Sequence, residues 1–212
     1  MVNINETLLV LAAYLLGSIP TAVWIGKLFY KIDVREFGSG NAGATNTFRV
    51  LGKRAGVPVL IFDVLKGFLA VMLASLSTYK PETNAFINFQ LALGIASLLG
   101  HIFPVFAGLR GGKGVATILG VVLAVQPQAA SVAIVVFVIM LLVFRYVSLA
   151  SMTAGLIFPI LVIAVFKIEN TVLISFSIVV AAMLILTHKR NIDRLLKKQE
   201  SKVNLFSAKE EN

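Results

Sequence analysis

The sequence contains no cysteine and only two histidines. Disulfide frameworks, zinc ribbons and thiol nucleophiles are therefore excluded, and neither a metal site nor a cofactor is expected. Charge is scarce as well. Only 14% of the 212 residues are charged, where a soluble domain uses about a quarter. Acidic residues are the rarer half of that set, 10 against 19 basic ones. A cleavable signal peptide is not expected either, because Asn3, Asn5 and Glu6 stand before the first apolar run in place of a basic segment. No internal repeat or low-complexity linker is visible.

Apolar sequence is what the chain has in abundance: 58% of it is hydrophobic, with a mean hydropathy of +0.92. A net charge of +9 on so apolar a chain speaks for membrane orientation before nucleic acid, and no nucleic-acid partner is expected. Apolar segments fall at about 7–29, 55–79, 86–107, 114–126, 129–144, 147–166 and 171–187. Each spans a bilayer if it reaches roughly 20 residues, or is shorter and buried against its neighbours. Between the fourth and fifth, Gln126-Pro127-Gln128 supplies a break. The expected fold is an all-α integral membrane protein of about seven transmembrane helices. It forms a single domain over 1–212, with 197–212 a partly ordered cytoplasmic tail.

Orientation follows from the basic residues. With the N-terminus outside and seven crossings, those from Lys27 to Arg54, then Arg110, Lys113, Arg145 and the cluster from Lys189 to Lys209 gather at the cytoplasmic face. Lys80 and Lys167 alone lie outside, and Lys66 sits within the second helix. Six crossings would scatter the same groups over both faces. The expectation is N-terminus outside, C-terminus inside.

That topology brings three polar blocks to one face. The first is Gly38-Ser39-Gly40-Asn41-Ala42-Gly43-Ala44-Thr45-Asn46, followed by Arg49. Gly38, Gly40 and Gly43 let backbone N–H groups approach an oxyanion. Ser39, Asn41, Thr45 and Asn46 add side-chain donors, and Arg49 a two-pronged cation. A flexible loop is the plain alternative. In the second block, Gly108-Leu109-Arg110-Gly111-Gly112-Lys113-Gly114 leads into Val115-Ala116-Thr117 and an apolar helix. A glycine loop feeding a helix N-terminus is an anion site, since free N–H groups and the helix dipole point the same way. It is not a phosphate-binding loop of the nucleotide type, because Ala107 and Gly114 stand where that pattern needs glycine and a hydroxyl residue. The third block, His188-Lys189-Arg190-Asn191-Ile192-Asp193-Arg194-Leu195, ends the last apolar segment. On a continuing helix His188 and Asn191 share a face. Elsewhere, Asp63 and Lys66 are three apart and can neutralise each other, His101 reads as a structural histidine, and Ser151 suits close helix packing or a supplementary ligand contact.

Together these blocks, with Gly100-His101-Ile102-Phe103-Pro104 before the second, resemble the bacterial acyl-phosphate-dependent glycerol-3-phosphate acyltransferases, the PlsY family. The resemblance runs from the first helix to Glu200. It implies transfer of a fatty acyl group from acyl phosphate to the sn-1 hydroxyl of glycerol 3-phosphate, giving lysophosphatidate and phosphate in phospholipid biosynthesis. It places the enzyme in the bacterial cytoplasmic (inner) membrane with its site at the cytoplasmic face, and adds the enzyme that supplies acyl phosphate as a partner. Carried over by motif, Ser39, Arg49, Lys113, His188 and Asn191 are the catalytic set. Glu200 matches a structurally important glutamate of the third block, although Lys198 stands where the family has glycine.

The residue chemistry agrees with that implication. Both substrates carry phosphate that is close to dianionic at neutral pH, and two such groups repel in a poorly solvated pocket unless donors are already in place. An acyl phosphate carries a good leaving group, so a strong dedicated base is not required. Either the substrate's own phosphate or His188 can take the hydroxyl proton. Two other readings remain: a transporter or flippase for a phosphorylated solute, and an acyltransferase with a His-x4-Asp box. His188 and Asp193 match that box, but on one helix they stand roughly 140° apart.

Overall fold

The computed structural model describes residues 4–203, and every regular element among them is helical. The chain divides into two compact units, Met1–Pro127 and Gln128–Asn212.

The first unit holds α1 (Ile4–Gly17), α2 (Thr21–Tyr30), α3 (Ala44–Leu51), α4 (Lys53–Met72), α5 (Asn84–Ile102) and α6 (Val115–Val125). α1 and α2 come from one apolar run but are bent by 41° at a short break. Pro20 accounts for it: the ring lacks an N–H and pushes the preceding residue out of the helical region. α4 continues through a tight turn, so that Lys53–Leu76 makes one stretch of 24 residues, and Asn84–Ala107 makes another of the same length. Thr83 starts α5 by accepting the Phe86 N–H on its hydroxyl at 3.2 Å, the standard way to satisfy an orphan donor at a helix start.

An alanine-rich seam, with Ala13, Ala70, Ala74, Phe89, Leu93 and Ala96, joins α1, α4 and α5. α6 lies against α4 through glycine. A Cβ built on Gly120 would fall 1.9 Å from the Val64 carbonyl oxygen, and one on Gly67 would fall 2.2 Å from that of Thr117. Such close backbone approach is how helices associate where lipid offers no hydrophobic drive. α6 has 11 residues, about 16 Å of rise, which is half of the roughly 30 Å hydrocarbon core. It is buried instead, with Thr117 and Val121 almost inaccessible.

The break between α1 and α2 frees a carbonyl, and a buried ion pair answers it. Lys66 Nζ donates to the Ile19 carbonyl at 3.0 Å and lies 2.8 Å from Asp63 Oδ1. Thr21 Oγ1 donates to the same carboxylate oxygen at 3.4 Å. Both charged residues sit on α4, at most 6% exposed, so each supplies the partner that the other needs within an apolar bundle.

The second unit holds α7 (Pro127–Phe144), α8 (Val147–Ile160), α9 (Thr171–Thr187) and α10 (Lys189–Leu196). Pro127 opens α7, where its missing N–H costs nothing. α8 runs on through a π-helical turn, Leu161–Val165, just after Pro159, and Asn170 caps α9 by accepting the Leu173 N–H at 2.8 Å. α10 is bent 56° from α9.

By length and composition the described residues offer four spanning helices, or up to six when each bent pair is one span. The chain is an integral membrane protein of 4–6 candidate spans. The two sources of the difference from seven are the bent pairs and the short α6. Part of the expected loose tail is tied down: the Val203 N–H donates to the Arg145 carbonyl at 2.8 Å, and Lys202 lies over the Tyr146 ring. The remainder of that tail, 204–212 with Lys209, lies outside the described residues.

Candidate active site

In the first unit the glycine-rich block is only partly a loop, because α3 begins at Ala44 and carries Thr45, Asn46 and Arg49. Thr45 and Arg49 are exposed, as is Ser39 in the turn before them. Gly38 and Gly40 take φ of +62° and +72°, a left-handed conformation natural to glycine. Asn46 departs from its expected role as a phosphate donor. Its Nδ2 donates to the carbonyls of Val34 at 2.8 Å and Phe37 at 3.1 Å, and its Oδ1 accepts the Ser39 N–H at 2.8 Å and the Ser39 hydroxyl at 3.1 Å. Both amide hydrogens are thus committed inside the loop. Asn46, 2% exposed, holds the turn that presents Ser39. Gly40 also departs, since its N–H closes this turn onto the Phe37 carbonyl at 3.1 Å. Asn41 and Gly43 stand at the mouth of α3, whose first N–H groups have no acceptor within the helix.

The second block differs from expectation in a similar way. The N–H groups of Gly111 and Gly112 donate to the Ile102 and His101 carbonyls at 3.1 and 3.2 Å. The physical reason is that the last carbonyls of α5 need donors, and the loop doubles back to supply them. A Cβ on Gly112 would fall 2.2 Å from His101 Nε2 and 3.2 Å from the Ala42 carbonyl oxygen. Glycine at 112 is therefore a close approach that lets the two blocks adjoin. Gly114 starts α6, whose first N–H groups have no acceptor within the helix, and Lys113 stands immediately before it. Beneath the loop, His101 Nδ1 is 3.1 Å from Thr117 Oγ1 and 3.7 Å from Asp63 Oδ1.

Two residues outside the expected set bind these blocks together. Arg35 Nε and Nη2 form a fork on Asp33 at 2.9 and 2.7 Å, while Nη1 donates to the carbonyls of Ala107 at 2.8 Å and Arg110 at 3.1 Å. The Arg35 guanidinium holds the Asp33 carboxyl far below the usual carboxylate range, against the opposing effect of burial. An acidic and a basic residue two apart, just ahead of a glycine loop, is the signal that sequence reasoning passed over.

In the second unit the last helix does not continue through the third block. It stops at His188, and α10 restarts at Lys189. Local side-chain bonds explain the stop. The Leu184 carbonyl accepts the His188 N–H at 3.1 Å, His188 Nδ1–H at 2.8 Å and the Thr187 hydroxyl at 3.2 Å. That bond fixes the ring's tautomer, so the lone pair of neutral His188 lies on Nε2. His188 and Asn191 are both buried, whereas Asp193 is exposed.

Glu200 gathers the rest of the block. It accepts Ser148 Oγ at 2.9 Å and Asn191 Nδ2 at 2.7 Å on one oxygen, and Arg194 Nε at 2.6 Å on the other. Burial raises its carboxyl, but the bonds from Arg194, Asn191 and Ser148 outweigh that and hold it below its ordinary value. Ser151, the expected contact on α8, is buried one turn beyond Ser148.

The comparisons agree with one another. Residues 7–198 match the family model described as glycerol-3-phosphate acyltransferase. A glycerol-3-phosphate acyltransferase of Listeria monocytogenes is 46% identical over 201 residues, 95% of this chain and 98% of its own length. PlsY, an integral membrane glycerol 3-phosphate acyltransferase known in two crystal structures, is 41% identical to this chain. Its glycerol 3-phosphate form has a TM-score of 0.84 and covers 95% of this chain and 99% of its own. The lysophosphatidic acid form has a TM-score of 0.80, with coverage of 94% and 95%. The chain belongs to the glycerol-3-phosphate acyltransferase family.

Proposed function

We propose that this protein transfers a fatty acyl group from acyl phosphate to the sn-1 hydroxyl of glycerol 3-phosphate, giving lysophosphatidate and inorganic phosphate for phospholipid synthesis. The observation that carries this reading is a pair of glycine-led helix N-termini, those of α3 and α6, whose loops adjoin at Ala42 and Gly112. Two phosphates need two sets of donors, and helix N-termini supply N–H groups and dipole together. Relatives named glycerol-3-phosphate acyltransferase, and a crystal structure of PlsY in its glycerol 3-phosphate form, support the acceptor. The acyl-phosphate donor is our assignment from the resemblance and from the two anion sites.

In the proposed reaction the sn-1 oxygen attacks the acyl carbonyl carbon, and the carbon–oxygen bond to phosphate breaks. Phosphate leaves with that electron pair. Arg49 and Lys113 counter the charge on the substrates, Arg49 through a planar fork and Lys113 as a point charge. Ser39, Asn41, Gly43, Thr45 and Gly114 line the donors at the two helix starts. His188 Nε2 or the departing phosphate takes the hydroxyl proton. Asn191 and Ser151 join the substrate contacts, while Asp63, Lys66, Asn46 and Glu200 hold structure. We further propose that both units work as one acyltransferase domain with seven membrane segments, α6 being the short buried one. The N-terminus would lie outside and the chemistry at the cytoplasmic face of the inner membrane, as the basic residues favour.

The test is product formation in detergent. Lysophosphatidate made from glycerol 3-phosphate and acyl phosphate, with no sealed compartment, cannot come from a transporter. Arg49→Ala and Lys113→Ala, checked for folding, should each lose about a hundredfold or more in turnover efficiency. Near-normal kinetics in both would remove the phosphate-binding role.

A further inference from the structure

We propose that Arg35 is a positioning residue that sets the spacing between the two phosphate-binding helix starts, and so governs the reaction without touching either substrate. This rests on the function proposed above. Arg35 leaves the turn ahead of the first glycine block, and its side chain ends on the second. All three guanidinium nitrogens are engaged: two on Asp33, and the third on the carbonyls of both Ala107 and Arg110. The pair is sheltered, with side-chain exposures of 14% for Arg35 and 10% for Asp33. It is therefore not a surface ion pair that solvent and salt would dissolve. Lys27 adds a second, more exposed cation 3.3 Å from Asp33.

Arg35 positions the blocks rather than merely folding them, because each block is closed by its own bonds. The first is closed internally by Asn46 and by the Gly40 turn, and α3 starts on the Gly43 carbonyl. The second is closed by the bonds of Gly111 and Gly112 to the end of α5, and by the Leu109 N–H on the Pro104 carbonyl at 2.9 Å. Neither needs Arg35 for its own shape. What Arg35 adds is the hydrogen-bonded tie between them, supplementing the bare van der Waals approach of Gly112 to Ala42. An acyl transfer between two phosphate-anchored substrates is sensitive to that relation. A misplacement of about 1 Å costs on the order of a hundredfold in rate, while each anchor taken singly still binds. A planar fork is also required, because an ammonium cannot span a carboxylate and two carbonyls at once.

The experiment measures lysophosphatidate formation by the full chain in detergent, for wild type, Arg35→Gln and Arg35→Lys. Thermal midpoints and gel filtration report the folded fraction, and turnover is expressed per folded molecule. Both variants should lose about a hundredfold in kcat, with KM for each substrate held within about threefold. Arg35→Ala, assayed in the same way, should regain turnover several-fold on added guanidinium. Turnover of Arg35→Gln within about twofold of wild type would overturn the proposal. So would full recovery in Arg35→Lys, a loss confined to the KM of one substrate, or a loss explained by the unfolded fraction. If the Arg35 variants fail to fold, Asp33→Asn decides instead: it should lower kcat several-fold at unchanged KM, and wild-type turnover there would contradict the clamp. Wild-type protein inert with acyl phosphate would defeat the proposed function, a result distinct from an active wild type with an indifferent Arg35.

Discussion

Lys198 stands where the resemblance places a glycine, and it takes a left-handed φ of +57°. The turn after α10 needs a left-handed residue so that Glu200 can swing back onto Ser148, Asn191 and Arg194. A lysine reaches that conformation at a cost, and glycine reaches it freely. Lys198→Gly should therefore raise stability by about 0.5–1 kcal/mol and leave turnover unchanged, as read by thermal unfolding beside the product assay. Glu200 and Asp33 are both held below their ordinary values. Their contribution to stability is complete above the unfolded carboxylate pKa of about 4 and is lost as pH falls through the lower folded value. The melting temperature in detergent should accordingly fall as the buffer is taken below about pH 4, and Glu200→Gln should reduce that fall. In the third block, His188→Ala and Asn191→Ala should lose about 10²–10⁴-fold in turnover, while exposed Asp193→Asn should lose little. A dead but folded Asp193→Asn protein would restore the His-x4-Asp reading.

At the scale of elements, periodicity and punctuation disclosed most of the helices, but not how they break. The run at 7–29 looks continuous, yet Pro20 bends it, and the run ending at 187 stops because Thr187 and His188 capture the Leu184 carbonyl. α3 was hidden behind a segment whose glycines and asparagines look like loop, since it has only eight residues and its apolar face is short. The glycines of the second block were legible as a loop by composition. Their N–H partners were not, because that depends on which carbonyls α5 leaves open. The tie made by Arg35 escaped for the same reason: Asp33 is only two residues away, but the Ala107 and Arg110 carbonyls lie 72 and 75 residues on in sequence. α6 is held by contacts that no composition reveals. Gly120→Ala would force a methyl into the Val64 carbonyl and should destabilise the first unit by about 1–3 kcal/mol. An unchanged melting temperature in that variant would mean that α4 and α6 do not approach so closely.

For the whole molecule, the distribution of basic residues makes a claim about sidedness that helix lengths alone do not. The absence of cysteine makes it easy to check, because single cysteines at exposed Lys80 and Arg190 would be the only thiols present. In intact cells a membrane-impermeant maleimide should label Lys80→Cys and spare Arg190→Cys, and the reverse pattern would invert the topology. The central claim is chemical, however: two anion-binding helix starts on one apolar chain serve an acyl-phosphate donor. Its most direct test supplies purified protein with glycerol 3-phosphate and, separately, acyl phosphate, acyl-CoA or acyl carrier protein, each with and without chelator. Lysophosphatidate should appear with acyl phosphate alone and be indifferent to chelator. Robust product from acyl-CoA, or loss of the acyl-phosphate reaction in chelator, would contradict the account.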